Sequence, residues 1–149
     1  MTEPQPPQRI LVIDDETVIG MSCRRTFVSE GHEVTVHEDP HRGLEAALTG
    51  DYDIVFLDLM MPGLEGMEIL RRVKEAGTTT EIVIITGHST VESAVQAMQL
   101  GAADYLSKPF SPAELKLVLQ KVTERSSLLR ENAQLRRELE LEQGFEGIL

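Results

Sequence analysis

The stretch YDIVFLDLMMPGLEG, Tyr52–Gly66, sets an unbroken apolar run, Ile54–Leu57, directly against a carboxylate, Asp58, before a Pro-Gly break. A continuous run of branched and aromatic apolar residues predicts a strand covered on both faces, as in a parallel sheet. A strand with one wet face would alternate instead. The charge therefore falls where a buried strand leaves its core, and a carboxylate there needs a reason.

Four further runs lie on either side of this one. They are RILVIDD (Arg9–Asp15), HEVTVHE (His32–Glu38), EIVIITG (Glu81–Gly87) and ADYLSKPF (Ala103–Phe110). The first and the Glu81 run are also continuous, whereas EVTVHE alternates and suits a strand near a sheet edge. The intervening segments carry helix punctuation. Gly31, Gly50, Gly77 and Gly101 stand where C-terminal caps belong. STVE (Ser89–Glu92) and SPAE (Ser111–Glu114) read as capping boxes, and Asp39 precedes Pro40 as cap and first helical residue. Val91, Ala94, Val95 and Met98 repeat at helical spacing and predict one buried face. The alternation is (βα)5 with short connections, which predicts a doubly wound parallel sheet with helices on both sides.

Composition bounds what such a domain can do. The 149 residues carry 14 Lys+Arg against 25 Asp+Glu, a formal charge of -11, which disfavours direct nucleic acid binding by this segment. Hydrophobic residues make up 41%, enough for a core, yet no apolar run approaches a membrane span. MTEPQPPQR reads as a disordered leader over residues 1–8, without the apolar centre of a signal peptide. The single cysteine, Cys23, fits a reducing cytoplasm and falls inside a predicted helix, in a packing role.

Ligands of open α/β sheets bind at the carboxyl ends of the strands. Those ends carry Asp14-Asp15, Asp58, Thr86 and Lys108-Pro109. Three carboxylates brought together repel one another and raise each other's pKa values unless a cation intervenes. A hard divalent ion, magnesium above all with manganese as the substitute, resolves this with oxygen ligands. With Lys108 as a second positive charge and Thr86 as a hydroxyl donor, the cluster suits a phosphoryl group. Asp58 is the residue placed to accept it as a nucleophile, forming an acyl phosphate.

VIDDE, LDLMMPGLEGMEIL, ITGH and GAADYLSKPF together resemble the receiver domain of two-component response regulators, over about Arg9 to Glu124. The resemblance implies a flavodoxin-like sheet of strand order 2-1-3-4-5, with Asp58 as phosphoacceptor. Asp14 and Asp15 become the acidic pair, Asp15 binding magnesium together with Asp58 and the backbone carbonyl of Met60. Thr86 becomes the hydroxyl residue that moves toward the phosphoryl group, Tyr105 the aromatic switch behind it, and Lys108 the contact to the phosphoryl oxygens. Lys108-Pro109 is expected to be cis, Met60 and His88 to tune dephosphorylation, and Gly87 to leave space beside the phosphate. The implied partner is a sensor histidine kinase whose phosphohistidine is the donor. The chain is then a cytoplasmic switch rather than an enzyme by purpose.

From Ser111 onward no helix breaker appears before Gly144. Leu115, Val118 and Val122 suit a sheet-facing side. Leu128, Asn132, Leu135 and Leu139 then repeat at heptad spacing, the seam of a short two-stranded coiled coil, with Glu131, Arg136, Arg137, Glu138 and Glu140 as charged flanks. This division gives a receiver over 9–124, a dimerising linker helix over 125–143 and a connection beginning at 144–149. LLRENAQLRREL followed by GFEGIL resembles the linker of NtrC-type activators, implying an ATPase acting on sigma-54 RNA polymerase outside this chain. Alternatives are a stand-alone dimeric receiver and a magnesium-dependent phosphatase of the haloacid-dehalogenase type. The phosphatase wants an aspartate where Met60 stands. A dinucleotide-binding module would need glycines where IDDETVIG supplies acids.

Overall fold

Five strands and five helices alternate along the chain, and the computed structural model describes residues 6–146. The order is β1 (Arg9–Ile13), α1 (Thr17–Ser29), β2 (Glu33–His37), α2 (Pro40–Thr49), β3 (Ile54–Leu57), α3 (Gly66–Glu75), β4 (Glu81–Thr86), α4 (Val91–Gln99), β5 (Asp104–Ser107) and α5 (Pro112–Glu146). All pairings are parallel and the strands lie in the order β2-β1-β3-β4-β5. This is the flavodoxin-like (βα)5 sheet expected from the sequence. The alternating run forms the edge strand β2, and the three continuous runs form the buried centre.

Successive strand residues point to opposite faces, and two cores result. Ile10, Val12, Ile54, Phe56, Val83, Ile85 and Leu106 pack with Cys23 and Phe27 of α1 and with Leu115, Val118, Leu119 and Val122 of α5. Leu11, Ile13, Val55, Leu57, Ile82 and Ile84 pack on the other side with Leu44, Ala47, Ile69, Leu70, Val73 and Ala97 from α2, α3 and α4. Cys23 is fully buried, and burial pushes its thiol up to about 12, in keeping with a packing role. No helix among the described residues is long and apolar enough to cross a membrane.

Three local expectations need correction, while the glycine caps stand. Gly31, Gly77 and Gly101 follow their helices at positive φ. Gly50 is the C-cap of α2 in an extended conformation at φ -85, its N–H donating to the Ala46 carbonyl. Gly50 is held small by a close approach, since a Cβ there would lie 2.3 Å from the Tyr52 ring. The capping box of α4 sits one residue later than STVE: Thr90 is the cap and Ser93 its partner. Ser89 is instead engaged by the Ser107 hydroxyl of β5, at 2.9 Å. On α4 the stripe Val91, Val95 and Met98 is exposed rather than buried, Val91 to 82%, and Ala97 alone is fully covered by the sheet. Finally, α5 continues through Gly144 to Glu146, because one glycine costs a long helix only about 1 kcal/mol.

The SPAE box forms as read, with Glu114 N–H donating to Ser111 Oγ at 3.1 Å. Residues 1–5 of the leader and 147–149 of the terminal connection lie outside the described residues, as does the side chain of Glu140. Gln8 already joins the fold, its N–H donating to His32 Nδ1 at 2.9 Å and its carbonyl accepting from Glu33 N–H.

Candidate functional site

The sheet ladder runs one residue past the strand ends and fixes the backbone of the site. Asp14 N–H donates to the His37 carbonyl at 3.2 Å, Asp58 N–H to the Ile13 carbonyl at 3.0 Å, and Lys108 N–H to the Thr86 carbonyl at 2.9 Å. Because Ile13 pairs with Leu57, Asp14 and Asp58 emerge side by side at the carboxyl edge. The Lys108-Pro109 bond is cis.

One ammonium organises the cluster. Lys108 Nζ lies 2.8 Å from Asp14 Oδ2 and 3.2 Å from Asp58 Oδ2, and also bonds Glu16. The second oxygen of each aspartate accepts a backbone N–H, Glu16 N–H to Asp14 Oδ1 at 2.9 Å and Met60 N–H to Asp58 Oδ1 at 3.2 Å. Both aspartates are buried. Burial is the largest influence on Asp14 and pushes its carboxyl up to about 6, despite the Lys108 ammonium and a hydrogen bond from the Glu16 backbone. For Lys108 burial alone would lower the pKa, but its contacts with Asp14 and Glu16 outweigh that and raise it.

One carboxylate oxygen from each of Asp14, Glu16 and Asp58 lies within 4.8 Å of the others. Hard oxygen donors at that spacing suit a divalent cation of the magnesium type. The trio differs from the expected one. Asp15 is exposed and borders the same depression, but Glu16 rather than Asp15 completes the close group. The signal for Glu16 was a third acid in VIDDE, two residues after Asp14, and its partner Lys108 lies far along the chain. An open depression of about 460 Å³ sits over the cluster, lined among others by Asp15, Asp58, Met60, His88 and Lys108.

Thr86 is fully buried, and its Oγ1 accepts from His88 N–H at 3.2 Å. It does not border the depression, whereas Gly87 does. A Cβ at Gly87 would meet no atom within 4 Å, so packing does not require glycine there. Tyr105 is half-buried, and its hydroxyl shares a 3.0 Å hydrogen bond with Ser93 Oγ of α4. Leu128, Asn132, Leu135 and Leu139 are all exposed on α5, far in sequence from the cluster.

Residues 10–120 match the family model described as the response regulator receiver domain. The chain is 41% identical over 124 residues to the transcriptional regulatory protein DltR of Streptococcus agalactiae, an alignment covering 83% of this chain and 55% of that protein. Among solved structures it is similar to NtrX from Brucella abortus, with a TM-score of 0.81 and 35% identity, over 87% of this chain and 30% of that one. A CheY-like response regulator receiver domain protein from Methanospirillum hungatei is similar at a TM-score of 0.78 and 25% identity, over 82% and 98% of the two chains. The chain spans about half the length of the curated relatives it matches.

Proposed function

Since the chain belongs to the response regulator receiver domain family, we propose that Asp58 accepts a phosphoryl group from the phosphohistidine of a sensor kinase. The observation that carries this is the Lys108 ammonium held 3.2 Å from a buried Asp58 carboxylate whose other oxygen is fixed by Met60 N–H. That geometry leaves Asp58 Oδ2 facing a cation at the mouth of an open depression. In the transfer, an Asp58 oxygen forms the new bond to phosphorus while the bond from phosphorus to the imidazole nitrogen breaks. The nitrogen keeps the electron pair, and with the proton on the other ring nitrogen the kinase histidine is left as a neutral imidazole. Lys108 then neutralises charge on the phosphoryl oxygens, the kind of positioning and electrostatic work on which phosphoryl transfer depends.

The acidic edge fits magnesium or manganese, with Asp15, Asp58 and the Met60 carbonyl as its ligands and Asp14 beside them. Such an ion supplies charge neutralisation for the transferring group. Asp14 holds Lys108 in register, and Thr86 is the hydroxyl that turns from His88 N–H toward the new phosphate. Tyr105 leaves Ser93 as the adjacent space changes. Met60 and His88, on the rim, set how readily water reaches the acyl phosphate. The chain acts as a switch, catalysing only its own phosphorylation and dephosphorylation.

The domain division follows the same reading, with a receiver over 9–124, a dimerising helix over 125–143 and a connection from 144 onward. The exposed leucines Leu128, Leu135 and Leu139 around Asn132 support a homodimer seam, and phosphorylation would shift the balance between two dimer arrangements. An NtrC-type output acting with sigma-54 RNA polymerase is favoured by the LLRENAQLRREL linker and by the likeness to NtrX. A stand-alone dimeric receiver is the second reading, and DltR as a relative leaves other outputs open.

The test is intact-mass measurement after treatment with acetyl phosphate and magnesium. Wild type gains one hydroxylamine-labile phosphate, and Asp58→Asn gains none. A phosphate that persists on Asp58→Asn, or one absent from wild type, refutes the assignment.

A further inference from the structure

Three carboxylates crowd the Lys108 ammonium. It donates to Glu16 and Asp58. It lies 2.8 Å from Asp14 Oδ2, with which it forms an ion pair but no aligned hydrogen bond. Two of these carboxylates are anchored. Asp14 and Asp58 have side chains 0% and 5% exposed, backbone N–H groups tied into the sheet ladder, and a second oxygen held by a backbone N–H. Glu16 differs on each count. Its side chain is 59% exposed. It stands at the N-cap position of α1 with no side-chain capping bond, so nothing but Lys108 holds its carboxylate among the described residues.

A phosphoryl group on Asp58 brings new anionic oxygens to an ammonium already crowded by three carboxylates. Of the three, only Glu16 can withdraw without baring a buried charge. We infer that Glu16 is a positioning residue for Lys108: its carboxylate occupies the donor that a phosphoryl oxygen on Asp58 takes over, and competes with it. The inference rests on the reading of Asp58 as phosphoacceptor. In the resting chain Glu16 keeps Lys108 aimed across the mouth of the site. On phosphorylation it swings into solvent, where a charged side chain is stable.

Competition and metal binding make opposite predictions for Glu16→Gln. The full chain is compared as wild type, Glu16→Gln and Glu16→Asp. Initial phosphorylation rates over a series of acetyl phosphate concentrations are read by intact mass, and beryllofluoride and magnesium binding by calorimetry. Glu16→Gln lowers the half-saturating acetyl phosphate concentration and tightens beryllofluoride by about two- to fivefold, the scale of an exposed ion pair. Glu16→Asp, which keeps the charge, returns toward wild type. A loss of magnesium affinity together with phosphorylation would make Glu16 a metal ligand and overturn the inference. Unchanged constants in Glu16→Gln would overturn it as well. Wild type that takes up no phosphate at all would instead strike at the phosphoacceptor reading beneath it.

Discussion

Gly66 opens α3 directly under the loop that carries Asp58. A Cβ there would lie 2.3 Å from the Asp58 carbonyl oxygen and 2.6 Å from Leu59 Cα, both backbone atoms that cannot step aside. Gly66 N–H also donates to the Leu59 carbonyl at 3.0 Å, closing the loop on itself. Gly66→Ala should therefore cost about 1–3 kcal/mol, the usual range for forced overpacking, read as a lower urea midpoint with unchanged m. His32 makes a different demand, at the opposite end of the sheet. Its ring packs edge-on against Phe27, and its unprotonated Nδ1 accepts the Gln8 N–H. Burial lowers its pKa from 6.5, against a smaller raising effect of Glu30. Below that value the unfolded chain binds more protons than the folded one, so stability rises with pH. The contribution is complete above about pH 6.5 and fades as pH falls through the lowered folded value. Urea midpoints measured between pH 7 and 5 should decline less steeply in His32→Gln than in wild type; parallel slopes would assign the decline to other groups.

Among the elements, α4 shows most clearly what sequence spacing can and cannot say. Its first turn is tied together by one hydroxyl: Ser93 Oγ accepts Thr90 N–H at 3.1 Å and bonds the Tyr105 hydroxyl of β5 at 3.0 Å. Ser93→Ala removes both ties at once. It should cost about 0.5–1.5 kcal/mol, the net worth of a hydrogen bond. Faster hydrogen exchange at the Thr90 amide, which loses its acceptor, and a shifted Tyr105 ring resonance would report it, whereas Thr90→Ala should leave the Tyr105 resonance in place. The helix itself was legible from Val91, Ala94, Val95 and Met98, but its orientation was not. Periodicity finds an apolar stripe and leaves open what covers it, and here the sheet takes only Ala97. The cap register failed for a related reason, since Ser89 and Thr90 are equivalent locally and Ser107 of β5 claims Ser89. Strands were easier, because short unbroken apolar runs between turn residues read as buried strands, while their order came from the resemblance to receiver domains. Of the expected cluster, Asp14, Asp58 and Lys108 come together, whereas Asp15 lies beside the close group and Thr86 is buried away from the depression. Glu16 was not legible in the sequence, because its significance lies in a partner 92 residues away.

Taken whole, the molecule uses the front of α5 to close one face of the sheet and sends the rest outward. Leu115, Val118, Leu119 and Val122 complete the core around Phe27 and Phe56. Beyond them, Leu128, Leu129, Leu135 and Leu139 are each more than half exposed. A helical extension with so much apolar surface is poorly stabilised on its own, but its docked first turns already meet the cost of nucleation. A chain ended at Glu124 keeps every core residue, so its unfolding free energy from urea titration should change by no more than about 0.5 kcal/mol, as for changes away from buried contacts. The extension should act on assembly instead. Across a concentration series, analytical ultracentrifugation should show the full chain shifting from monomer to dimer, and the shortened chain should remain monomeric. Leu135→Lys and Leu139→Lys place like charges in the proposed seam and should abolish the shift without altering the far-UV signature of the sheet. Asn132→Leu should strengthen association while loosening its register, since a polar group in such a seam trades stability for a defined pairing. A full chain that stays monomeric throughout, or a Leu135→Lys variant that dimerises as wild type does, would leave the exposed stripe without that partner.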